Sequence, residues 1–396
     1  MLGRFLDDSF APEVRADVTA LTVARLSANT CYRYSAPFLA TIARGLDISL
    51  QQIGVALAIA ELSCLLSPFV ARLVDRMGHR PSMVGGLLGM GLGTVLAAGS
   101  QGAATFAIAL VTLSQSKVVF DIGLGSWIAT HVPYERRSVV VGLTETSWAL
   151  GLLVGVSLMG LVTAATSWRV AYLLATAGVV TMATIVAARI PRAAAVPAAD
   201  GPPRPRTARL VLGRTGWLAV GGSLTLMASS QCLFVTFGGW LEDSFDFTPA
   251  ALSAVTFALG LGELASSITS ARRTDRWGKE RSTALGAGLM IPSALALAVW
   301  HQHLAVGLVV LVIAVVGFEF AIVSALAIAS QLVPASPARG LGMMIGAGTL
   351  GRALASIPAT RLYERSGIGW PAAMSATFAT FTMAAMVLRG RALARP

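Results

Sequence analysis

Charge is what this chain has least of. Only 12% of its 396 residues are Asp, Glu, Lys or Arg, about half the share of a soluble domain, while 55% are hydrophobic. That deficit excludes a soluble globular protein of this length. It also excludes a nucleic-acid module, which needs a solvated basic face. Cysteine is scarce too: Cys31, Cys64 and Cys232 all fall in apolar stretches. They offer neither metal-ligand spacing nor a disulfide framework, and packing as small hydrophobes accounts for them. His131, His301 and His303 sit at the ends of apolar runs, where solvated or interfacial histidine is expected rather than a metal ligand. Gly85-x-x-x-Gly89-x-x-x-Gly93 and Gly342-x-x-x-Gly346 lack the Lys-Ser/Thr that ends a nucleotide loop and read as helix-packing seams. No metal cluster or nucleophile–base pair stands out, so no metal, no cofactor and no enzymatic activity are expected. A secretory pattern is also missing from the N-terminus, so the first apolar span is expected to direct insertion.

What the chain has is long apolar runs and 40 glycines, residues that let helices approach closely in lipid. A membrane helix needs about 20 apolar residues. Runs at 20–42, 50–71, 82–100, 104–131, 139–165, 168–188, 216–240, 248–271, 283–300, 304–332, 340–361 and 370–388 meet that length to within a few residues. The expected fold is an all-α polytopic membrane protein with twelve transmembrane helices in two six-helix bundles, 1–188 and 216–396. The segment 189–215 between them holds five prolines and six arginines, which suits a flexible cytoplasmic linker.

With the N-terminus inside, twenty-two Lys and Arg fall on the cytoplasmic side and four outside. Basic residues favour cytoplasmic loops, so both termini are expected in the cytoplasm, and the net charge of +11 needs no nucleic acid to explain it.

Two charged hinges punctuate the runs. Ala71-Arg72-Leu73-Val74-Asp75-Arg76-Met77-Gly78-His79-Arg80 follows the second span, and Thr274-Asp275-Arg276-Trp277-Gly278-Lys279-Glu280-Arg281 follows the eighth. The echo extends further: Glu61 with Glu263, Phe120-Asp121 with Phe318-Glu319, Ser126 with Ser324, and Val132-Pro133 with Val333-Pro334. Duplicated halves are a common build of secondary transporters.

On these residues the chain resembles the major facilitator superfamily. The signature loop of that family, roughly Gly-x-x-x-Asp-(Arg/Lys)-x-Gly-(Arg)-(Arg/Lys), is matched at Asp75, Arg76, Gly78 and Arg80, with Ala71 replacing the first Gly and His79 one basic residue. The second copy matches at Asp275, Arg276, Gly278, Lys279 and Arg281. Tyr32-Arg33 before Pro37-Phe38-Leu39, Glu145-Thr146-Ser147-Trp148 and Gly238-Gly239-Trp240-Leu241-Glu242-Asp243 look most like the arabinose-efflux-permease-like and drug-efflux branch. In the fifth span Gly151-x-x-x-Gly155 runs into Val156-Ser157, without the proline of the antiporter signature. The resemblance implies alternating access in a bacterial inner (plasma) membrane. It implies a cytoplasmic gate at Asp75, Arg76, Gly78, Arg80, Asp275, Arg276, Gly278 and Arg281. Asp121 and Glu319, toward the cytoplasmic halves of their helices, are expected to join that gate as fixed partners of the hinge arginines, with carrying protons as the alternative.

Ionisable groups at membrane depth are functional candidates. Arg25, Asn29 and Arg33 form one stripe; Arg25 has the alternative of snorkelling to the interface. Lys117 and Asp121 can pair at i,i+4. Arg25, Asn29, Arg33, Glu61, Lys117, Glu145, Glu263 and Arg352 make the expected substrate and ion pathway, Glu61 and Glu263 having the alternative of structural pairing with Arg33 or Arg352. Three functions stay open: proton-coupled efflux of a small or amphipathic solute; a carrier or flippase for an anionic solute or lipid; and a non-transporting receptor or assembly factor. The expected partners are a small-molecule or lipid-like substrate, protons and the bilayer, with no nucleic acid, and the chain is expected to act as a monomer.

Overall fold

The computed structural model describes residues 2–6, 10–133, 136–191, 212–329, 331–333 and 337–394, without the side chains of Leu2, Phe5, Pro68, Asp75, Ser138 and 337–339. The linker expected at 189–215 lies mostly outside the described residues.

The described chain is helical and groups into twelve crossings. The first is α1 (Pro12–Arg33) and α2 (Leu39–Gly45), bent at a turn between them; the second is α3 (Leu50–Ser63), a 3-10 turn and α4 (Ser67–Met77). Then follow α5 (His79–Ala98) and α6 (Ala103–His131). The fifth crossing is α7 (Arg137–Leu150), a π turn (Gly151–Val156) and α8 (Ser157–Ala165), and the sixth is α9 (Trp168–Arg189). The second half repeats the plan: α10 (Arg214–Phe234) with α11 (Phe237–Phe245), α12 (Pro249–Trp277), α13 (Lys279–Trp300), α14 (Leu304–Ala329), α15 (Pro337–Ser366) and α16 (Gly369–Leu393). Ten crossings are long and apolar enough by composition alone. The first two are the exceptions, because α1 carries charge and both are broken into shorter helices.

Local chemistry sets the breaks. The Ser49 hydroxyl accepts from the Gln52 amide while the Gln52 side chain accepts from the Ser49 amide, a capping box that starts α3. Thr248 caps α12, with Pro249 at its first position. Both hinges end their helix on glycine at positive φ, 85° at Gly78 and 89° at Gly278, a conformation that costs any L side chain about 1–2 kcal/mol.

The halves meet along two seams. α3 packs on α15, and α8 with the π turn packs on α12. Glycine permits the closest approaches: a Cβ on Gly54 would overlap the Thr360 hydroxyl, and one on Gly260 the Leu153 backbone nitrogen. Of the glycine seams expected from sequence, Gly89 and Gly93 do face Ser116 and Leu113, whereas Gly85, Gly342 and Gly346 face open space. Gly86 against Phe120 and Gly351 against Leu224 carry the packing instead.

Candidate functional site

At the end of the bundle away from the hinges, α2 lies on α11. Arg44 pairs there with Glu242 and, at 3.3 Å, with Asp243. The Tyr363 hydroxyl donates to Asp243 at 2.7 Å, and the Gln51 amide to Glu364 at 2.8 Å. This end is latched shut. At the other end Phe69 and Leu73 on α4 are exposed, as are Arg76, Asp275, Arg276 and Arg281. Between the two lies a cavity of about 500 Å³, lined from Pro37 near the latch to Ala271 and Leu326 on the hinge side.

Its polar groups come from eight crossings, with Ser114 and Gln231 among them. Arg33 grips Glu263 with two nitrogens, at 2.8 and 2.6 Å. One of these also donates to the Trp148 carbonyl at 2.9 Å, and the guanidinium lies 4.5 Å from the Trp148 ring centroid. Arg33 is 8% exposed and Glu263 wholly buried. Arg352 pairs with Glu61 and with the Tyr32 hydroxyl, and that hydroxyl donates to Glu61 at 3.1 Å. Both clusters cross between the halves, the first joining α1 to α12 and the second α15 to α3. Charged groups this deep need partners, since an uncompensated buried charge costs several kcal/mol.

A third cluster stays within the first half. Arg25 meets Glu145 at 2.8 Å and Asp121 at 3.4 Å, and Lys117 pairs with Asp121. Beside it the Asn29 amide donates to Ser147 at 3.1 Å. The α1 stripe 25, 29, 33 thus meets 145, 147 and 148 on α7 in order. Glu319 stands apart. The Ser267 hydroxyl donates to one of its oxygens at 2.6 Å, and the other oxygen is buried without a hydrogen-bond partner among the described residues.

One alternative falls and one expectation changes. Arg25 does not snorkel; Asp121 and Glu145 hold it in the bundle. Nor do Asp121 and Glu319 face the hinge arginines. Asp121 is taken by Arg25 and Lys117, and Glu319 lines the cavity. The Arg80 guanidinium donates instead to the Ala187 carbonyl, at 3.2 Å from Nε, where it caps the end of α9. The side chain of Asp75 lies outside the described residues. Sequence reasoning did not assign a role to Tyr32, Trp148 or Ser267. The signal was present for Ser267, four residues from Glu263 and so on the same helix face.

Two six-helix halves around a central charged cavity define the architecture of alternating-access carriers. The profile of the Major Facilitator Superfamily matches residues 21–356, and the chain belongs to that superfamily. It is 25% identical over 342 residues to the gentisate transporter of Corynebacterium glutamicum, covering 81% of this chain and 73% of the relative. Among solved structures, it superposes on a bacterial homolog of the human lysosomal transporter Spinster, in an inward-facing and occupied conformation. The TM-score is 0.77, with 13% identity, 96% of this chain and 97% of that one covered. The human organic anion transporter MFSD10 gives a TM-score of 0.68 at 18% identity, with 96% and 100% covered.

Proposed function

We propose that the protein carries a small organic carboxylate across the membrane by alternating access, coupled to protons. The Arg33–Glu263 pair carries this reading: a buried bidentate bridge between the halves, in the cavity wall, with one guanidinium face on Trp148. A carboxylate entering the cavity presents the same two oxygens as Glu263 and competes for the same planar fork. Taking Arg33 would break a link between the halves, so occupancy changes their balance, as a ligand-driven switch requires. Arg352 with Glu61 repeats the device on the second seam.

Leu57, Leu110, Leu152, Phe234 and Phe318 make much of the rest of the wall apolar, which suits an anion with a hydrophobic body. The relatives named for gentisate and for organic anions support the same substrate class, so the drug-efflux branch is not carried into this proposal. Proton coupling is supported by a surplus of acid. Arg25, Arg33, Lys117 and Arg352 are matched by Glu145, Asp121, Glu263 and Glu61, leaving Glu319 over. Placement in a bacterial inner membrane with cytoplasmic termini rests on the asymmetry of basic residues.

The test is counterflow of radiolabelled gentisate in proteoliposomes. Saturable exchange is expected in the natural protein, falling about a hundredfold in Arg33→Gln through loss of the charged, bidentate contact. Equal exchange by both proteins would discard the proposal, and imposing acid inside or outside reads the direction of coupling.

A further inference from the structure

The fifth crossing is interrupted by the π turn Gly151–Val156, a form that is rare and concentrates at functional sites. On either side of it the helix makes a different set of polar contacts. Before it, α7 faces α1 through Glu145, Ser147 and Trp148, set on Arg25, Asn29 and Arg33. After it, α8 adds the other half, where the Ser157 hydroxyl lies 3.1 Å from that of Thr256 on α12, while Thr163 further along keeps the Tyr34 hydroxyl of the first crossing at 2.5 Å. The turn itself makes very close backbone approaches. A Cβ on Gly260 would overlap the Leu153 nitrogen, and one on Gly155 the Thr30 hydroxyl. The extra residue of a π turn disrupts the i→i+4 ladder, and a polar side chain can take up the carbonyl it frees. Here the Ser157 hydroxyl reaches back five residues to the Leu152 carbonyl at 3.1 Å. Ser157 therefore closes the break in its own helix and holds the opposite half.

We propose that the π turn is the joint of the fifth crossing. On this view α7 follows α1 and the bound anion, α8 stays with α12, and Ser157 is the positioning residue that holds the joint in its present setting. An α-helix transmits motion as a rod; a turn with a displaced hydrogen-bond ladder lets the two sides move separately. The inference rests on the cavity being an organic-anion site. Deleting one residue would restore an unbroken α-helix while keeping the faces of α7 and α8 in phase, and Val154, 42% exposed on the outer surface, is the residue to delete.

The experiment is gentisate binding and counterflow by purified, reconstituted protein with Val154 deleted, and with Ser157→Ala and Ser157→Thr. The deletion is expected to leave the apparent KM within about threefold and to lower turnover at least about tenfold, as for a blocked conformational step. Ser157→Ala should change turnover about fivefold by loss of its hydrogen bonds, and Ser157→Thr should restore it. Unchanged turnover in both the deletion and Ser157→Ala overturns the inference. So does a parallel loss of binding and turnover that Ser157→Thr fails to rescue, since that marks a merely structural role. If the deletion does not fold, the Ser157 pair decides alone. Absence of gentisate binding by the natural protein discards the organic-anion reading, and the joint with it.

Discussion

Asp121 and Glu319 occupy the same place in the two halves, each after a phenylalanine in the fourth crossing of its bundle. Their surroundings differ. Asp121 has Lys117 one turn before it and Arg25 across from α1. Glu319 has Val315 one turn before it, and α10, the counterpart of α1, carries no basic residue after Arg214; from there Gln231 reaches Ser356 on α15. Among the described residues Glu319 keeps only a serine hydroxyl as a hydrogen-bond partner. Duplication gave both halves an acid at this depth, and the divergence of the neighbouring helices decided which acid is neutralised in place. The paired acid fixes structure within its half. In the proposed mechanism the other, without an ion pair among the described residues, is the one that exchanges a proton.

The comparison turns on whether a buried acid has its cation, and removing acids one at a time tests it. Glu263→Gln has the largest expected effect. It strands Arg33, 8% exposed, with only the Trp148 carbonyl and ring for company. Breaking a buried pair from one side costs about 3 kcal/mol or more, so unfolding of the purified protein in detergent should move to markedly lower denaturant. Asp121→Asn comes next. Arg25 would keep Glu145, but Lys117, 7% exposed, would lose its partner. Because Asp121 is 35% exposed, solvent screens the loss, and about 1–2 kcal/mol is expected. A variant as stable as the natural protein would show that the first-half cluster is not held by charge.

Much of the fold was legible because lipid imposes it. Backbone groups in lipid have to be satisfied within the helix, so ten crossings are long and apolar, and the duplicated hinges mark equivalent turns by Gly78 and Gly278. Lys117 with Asp121 was readable for the same local reason, since four residues bring side chains onto one helix face. The bridges Arg33–Glu263 and Arg352–Glu61 were visible only as possibilities, because the choice of partner depends on how two halves 200 residues apart sit on one another. The hinge charges were readable as a motif but not as contacts. With the latch of Arg44, Glu242, Asp243 and Tyr363 closed at the far end, Asp275, Arg276 and Arg281 are exposed. The π turn has no signature beyond Gly151 and Gly155. It reflects the packing of α1 and α12 against one helix, and periodicity within that helix does not carry it.

The smallest expected change in stability has the opposite sign, and it sharpens the contrast most. Glu319→Gln keeps the shape of the side chain, keeps an oxygen to accept from Ser267, and removes a buried carboxyl that has no ion pair among the described residues. Burying a charge without a partner is unfavourable, so the variant should match the natural protein in denaturant unfolding or exceed it by up to about 1 kcal/mol. Transport should divide differently. Gentisate counterflow, which needs no net proton movement, should persist, while accumulation driven by an imposed pH gradient should disappear. A Glu319→Gln protein that is clearly destabilised, or that still accumulates gentisate along the gradient, would place Glu319 with Asp121 among the structural acids and move the proton elsewhere in the cavity.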